Sequence, residues 1–70
     1  MLKNIGLRIY ELRKAKGLTQ KELAAQMGGR TNRSMVCKWE KGVEMPSLAS
    51  AKRLTGALGC SLDFLVTGED

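Results

Sequence analysis

The stretch from Thr19 to Glu40, TQKELAAQMGGRTNRSMVCKWE, reads as two short helices joined by a tight turn. Thr19 is a good N-cap, and Glu22 three residues on completes a capping box. Leu23, Ala24 and Met27 fall at helical spacing and share one buried face. Gly28-Gly29 stops that helix, because glycine accepts the backbone conformations that follow a helix end. Asn32 is the next strong N-cap. The helix it opens runs from about Arg33 to Lys41, with Gly42 beyond its end. Val36, Trp39 and Glu40 lie on one side of it, while Arg33, Ser34, Cys37 and Lys38 lie on the other. A helix that is polar and basic from its first turn, set at an angle by a short glycine turn, has the geometry that enters a DNA major groove.

The rest of the chain falls into three more helices. Asn4 is the expected cap of the first. Ile5, Ile9 and Leu12 form its core stripe, Arg8, Tyr10, Glu11 and Lys14 point elsewhere, and Gly17 closes it. Gly6 lies inside this helix and is expected to fray its first turn. After the Val43-Glu44-Met45 loop, Pro46 and Ser47 start a fourth helix with Leu48, Ala51, Leu54, Thr55 and Leu58 as its core stripe. Gly56 within it is expected to mark a close helix contact, and Lys52 and Arg53 a solvated face. Gly59 ends it, with Cys60 as a small packing residue. Ser61 caps a short fifth helix closed by Gly68. Leu62 and Leu65 suffice for its core, so Phe64 and Val66 are left over as an apolar patch for a second subunit.

The chain resembles the phage-repressor (Xre/Cro-type) helix-turn-helix family. The residues that carry this are Leu18-Thr19-Gln20, Leu23-Ala24, the glycine turn, and Lys38-Trp39-Glu40-Lys41-Gly42. Ile9 to Gly17 is similar to the family's first helix. Pro46-Ser47-Leu48, Ala57-Leu58-Gly59 and Ser61 to Leu65 are similar to its fourth and fifth helices. The turn around Gly29-Arg30 is longer than is usual there. The resemblance implies an all-α fold: a compact five-helix bundle of the lambda-repressor-like type, forming a single domain over residues 1–70 with its helix-turn-helix at about 19–41. It also implies that Glu40 pairs with Arg13 as a structural ion pair.

Charge and composition bound the function. The 12 Lys and Arg outnumber the 7 acids, for a formal charge of +5, which favours an anionic partner. Every base lies at or before Arg53, while Asp63, Glu69 and Asp70 stand alone after it, so the C-terminal end is expected to face away from phosphate. There is no histidine, which removes zinc-finger ligation and Ser-His or Cys-His nucleophile pairs. No phosphate-cradling Gly-Lys-Ser/Thr loop and no convincing acid/base pair of carboxylates occur. No catalytic residue, metal site, cofactor or small-molecule ligand is expected. Cys37 and Cys60 are far apart and do not form a disulfide framework. With no signal segment or long apolar run, a cytoplasmic protein of bacterial or phage origin is expected, with no membrane contact.

The site expectations follow. Asn32, Arg33, Ser34, Cys37 and Lys38 are expected to read bases. Thr19 and Gln20 at the start of the second helix, with Arg30, Met35 and Lys41, are expected to hold DNA phosphates. Ser61, Phe64, Val66 and Thr67 are expected to form a homodimer interface. Two functions compete on this fold: a sequence-specific transcriptional regulator, a small repressor on a two-fold symmetric operator in double-stranded DNA, and an antitoxin-like or antirepressor module that uses the same helices to hold another protein.

Overall fold

A computed structural model describes residues 2–69, with side chains from Ile5 onward. It contains five helices: α1 (Leu2–Ala15), α2 (Gln20–Met27), α3 (Arg33–Lys41), α4 (Leu48–Leu58) and α5 (Leu62–Thr67). Four of the five starts are set by hydroxyl or amide caps. The side chains of Thr19, Asn32, Ser47 and Ser61 each accept from the backbone N–H three residues on, satisfying one of the donors a helix start leaves open. α1 begins at Leu2, before the expected cap Asn4.

The five helices enclose one apolar core. α1 supplies Ile5 and Ile9, α2 Leu23, Ala24 and Met27, α3 Val36 and Trp39, α4 Ala51, Leu54 and Leu58, and α5 Leu65. Burial of such side chains is the main favourable term, on the order of 1.5–3 kcal/mol for each large one. α3 packs on both α1 and α2, so its orientation is fixed from two sides.

α1 and α3 approach each other closely at Gly6. Gly6 is buried, and a Cβ there would lie 2.5 Å from the Trp39 carbonyl oxygen and 2.8 Å from that of Glu40. The expectation of a fraying first turn is thus replaced by a packing role: the missing side chain lets the two backbones meet. Gly56 is the reverse case. It is exposed, with nothing within 4 Å of a Cβ, so it marks no helix contact.

Four further expectations change. Leu48 is 70% exposed, because it lies roughly 90° around α4 from the centre of the buried stripe and no element covers that edge. Thr55 is half-buried, its hydroxyl donating to the Lys52 carbonyl at 2.7 Å. On α5 only Leu65 is buried, while Leu62 is 37% exposed. Arg8, read as pointing away, ties α1 to α5: its Nε donates to Leu65 O at 2.9 Å and its Nη2 to Val66 O at 3.0 Å. These are carbonyls that the end of α5 leaves unpaired.

The two glycines give opposite predictions. Gly6→Ala should lose about 1–3 kcal/mol by overpacking α1 against α3. Gly56→Ala should gain roughly 0.5–1 kcal/mol from helix propensity alone. Chemical denaturation of the two variants beside the parent checks both signs.

Candidate nucleic-acid interface

α3 is anchored by a buried polar joint at its C-terminal half. Arg13 Nε donates to Glu40 Oε2 at 2.6 Å and Nη2 to Oε1 at 3.1 Å. The side chains retain 8% and 6% of their exposure. Arg13 Nη1 donates to the Leu18 carbonyl at 2.8 Å, and Gln20 Nε2 donates to Glu40 Oε1 at 3.0 Å. The guanidinium carbon also stands 5.3 Å from the Tyr10 ring centroid, within cation–π range. The hydrogen bond from Glu40 outweighs desolvation and holds the Arg13 pKa above its ordinary range. A raised pKa means the stabilisation is complete below that range and lost only as pH rises past it. The guanidinium therefore stays charged at any working pH.

The start of α2 lies beside this joint. Thr19 Oγ1 accepts from Glu22 N at 3.0 Å, and Glu22 Oε1 accepts from Thr19 N at 2.8 Å. The box leaves the amides of Gln20 and Lys21 as first-turn donors without an intrahelical partner, an anion-attracting arrangement. Two details alter the expected phosphate set here. The Gln20 amide is already committed in part to Glu40, and the Glu22 carboxylate stands at the same helix end.

The outer face of α3 presents Arg33, Ser34 and Lys38 as exposed side chains, with Cys37 half-buried between the outer and inner faces. Arg30 on the turn and Lys41 in the last turn are exposed as well. Asn32 is exposed, but its Oδ1 accepts from Met35 N at 3.0 Å, leaving only its amide NH2 for another partner. That same bond occupies the Met35 amide, and the thioether packs on the core. Met35 thus has no donor to give a phosphate, because the helix cap has taken it. The turn is closed by Thr31 N donating to Gly28 O at 3.2 Å, and Gly28 and Gly29 both take positive φ.

This five-helix arrangement, in which α2 and α3 pack on each other across a short turn, is shared with known proteins. The helix-turn-helix family model matches residues 9–65. The chain belongs to the Xre/lambda-type helix-turn-helix family. Among solved members, the P22 c2 repressor protein in complex with synthetic operator 9T superimposes with a TM-score of 0.87 at 29% identity, over 93% of this chain and 96% of that one. The restriction-modification controller protein C.AhdI from Aeromonas hydrophila gives a TM-score of 0.83 at 39% identity, over 91% and 90%. The HTH-type transcriptional activator BcrR of Enterococcus faecalis is 33% identical over 63 residues, covering 90% of this chain. The chain spans 30% of the length of that relative. These relatives are transcription regulators, not enzymes. Among the described residues no cluster of His, Cys, Asp or Glu could hold a metal, and no helix is long and apolar enough to cross a membrane.

In this member of the helix-turn-helix family the expected dimer residues do not form one patch. Phe64 and Val66 are two positions apart and so roughly 200° around α5. Phe64 is half-buried and, with Ser61, lines a recess shared with Leu12, Gly59 and Cys60. Val66 is 48% exposed and lies on the other side, in an apolar cleft with Leu48 and Leu62. The Thr67 hydroxyl donates to Asp63 O at 2.7 Å, within the end of α5.

Arg53 is exposed, as expected, and its guanidinium also passes close over Gly29. No local pattern could reveal this approach, since it joins α4 to a turn far away in sequence.

The capping role of Asn32 can be tested by itself. Asn32→Asp keeps an oxygen for the cap and should melt close to the parent, whereas Asn32→Ala should lose about 1 kcal/mol. Thermal melting monitored by circular dichroism reads the difference.

Proposed function

We propose that this chain is a sequence-specific DNA-binding transcriptional regulator that occupies a two-fold symmetric operator as a homodimer. The observation that supports it most is α3 itself. One side, Val36 and Trp39, is buried, and the other exposes Arg33, Ser34 and Lys38, on a frame similar to that of a repressor in complex with its operator. Arg33 stands at the N-terminal end, the part of a recognition helix that reaches deepest. Its guanidinium fits the O6 and N7 acceptors of guanine with two hydrogen bonds. Lys38 follows on the same face and donates to guanine or phosphate. Ser34 and Cys37 are small enough to admit the groove wall and touch a thymine methyl. The Asn32 amide adds a donor at the rim.

Phosphates on either side are held by Thr19, the first-turn amides of α2 and the remaining Gln20 N–H, and by Arg30 and Lys41. In this reading two copies place their α3 helices about 34 Å apart, one turn of B-DNA. Regulation then comes from occupancy, and its direction from where the operator lies. The relatives include both a repressor and an activator. The protein works in the cytoplasm, where bacterial or phage DNA is.

Binding-site selection with the parent and Arg33→Ala tests the base contact. The variant should lose preference at one guanine-bearing position per half-site, at a cost of roughly 1–3 kcal/mol. An equal loss on every sequence would assign Arg33 to the backbone instead.

The homodimer is proposed through the α4–α5 corner, with Phe64 and Ser61 at its centre. Sedimentation should find Phe64→Glu monomeric and still helical, with most operator affinity gone, while Val66→Glu stays dimeric. The opposite pair of results would move the interface to the Leu48–Leu62–Val66 cleft.

A further inference from the structure

Beside the N-terminal end of α3 lies a shallow recess of about 240 Å³ lined by Arg30, Thr31, Met35, Ala49, Ser50 and Arg53. It belongs to neither face of α3 discussed above. Two guanidiniums border it, both exposed, and neither has a carboxylate or hydrogen-bond partner among the described residues. Like charges gathered without a counter-charge repel each other, so the recess is primed for an anion. The hydroxyls of Thr31 and Ser50 add donors that suit oxyanions, while no acidic side chain lines it. The Arg53 guanidinium lies over Gly29, at a point where a Cβ would sit 2.9 Å from its Cζ.

The location identifies the anion. α2 has 8 residues and so spans about 12 Å. Its start sits by Glu40 near the C-terminal end of α3, and its own C-terminal end leads into the turn that borders the recess. The start of α2 and the recess thus lie toward opposite ends of α3, and the α2 length between them is comparable to the width of a major groove, roughly 12 Å. With α3 in the groove, one strand's backbone meets the start of α2 and the other meets the recess.

Resting on the DNA-binding reading above, we infer that Arg53 and Arg30 together grip a backbone phosphate of the operator through this recess. Arg53 is thereby a DNA contact supplied by α4, outside the helix-turn-helix itself. Planar guanidinium forks match phosphate oxygens two at a time. Such a contact positions α3 without reading sequence.

The test uses the full chain and a duplex obtained by binding-site selection, with affinity measured across a series of KCl concentrations and by phosphate-ethylation interference. Arg53→Gln should melt like the parent and keep its base preference. Its log–log salt slope should be shallower by about 0.9 for each bound copy, and ethylation of one phosphate per half-site should cease to interfere. Arg53→Lys should restore most of the slope. A parental slope and ethylation pattern in Arg53→Gln would overturn the inference while leaving the DNA reading intact. Weaker binding with altered base preference and an unchanged slope would also overturn it, making Arg53 a support for the turn alone. A parent chain without salt-dependent DNA binding would remove the DNA reading and the inference with it.

Discussion

The Arg13–Glu40 pair is the constraint around which the molecule is arranged. Both charges are almost wholly removed from water, a cost of several kcal/mol per ion unless the pairing and further hydrogen bonds offset it. Here both are present. Glu40 receives Arg13 at both oxygens and Gln20 at one, and Arg13 spends its remaining arm on the Leu18 carbonyl. No buried side-chain polar atom among the described residues lacks a partner. The contribution of this joint is less to net stability than to geometry, because its bonds are satisfied at only one angle between α1, α2 and α3. An apolar substitute would fill the space but would leave that angle to looser packing.

α3 must be gripped on one side and left bare on the other. The grip comes from three features on its inward face: Val36 and Trp39 in the core, Glu40 in the polar joint, and Gly6, where α1 lies against its carbonyls. The bare side then needs no support from its own side chains, so Arg33, Ser34 and Lys38 remain free of intramolecular bonds that a ligand would have to break. Asn32 is the exception, since the cap that starts the helix takes its oxygen.

Local chemistry made the helix limits legible. Thr19 with Glu22, Asn32, Ser47 and Ser61 each mark a start that needs only the neighbouring backbone to act, and Gly28, Gly42, Gly59 and Gly68 mark the ends. The pairing of Arg13 with Glu40 came from family resemblance rather than from spacing, since 27 positions separate them. What stayed hidden was tertiary. Gly6 and Gly56 look alike in sequence, yet one meets a neighbouring backbone and the other meets solvent. Leu48 and Leu62 fit an apolar period but sit at helix edges with nothing above them. Arg8 and Arg53 both read as surface charge, while one closes the end of α5 and the other rests on the turn. In each case the outcome depends on whether a separate helix or turn reaches that position.

The central claim, that the Arg13–Glu40 joint fixes α3, is tested most directly by a double-mutant cycle of Arg13→Ala, Glu40→Ala and the double variant, read by chemical denaturation. The account predicts strong coupling, toward the upper part of the roughly 0.5–3 kcal/mol range seen for residues in one network, with the double variant little worse than either single one. Single losses that simply add would contradict it, and would mean that α3 is held by its apolar contacts alone.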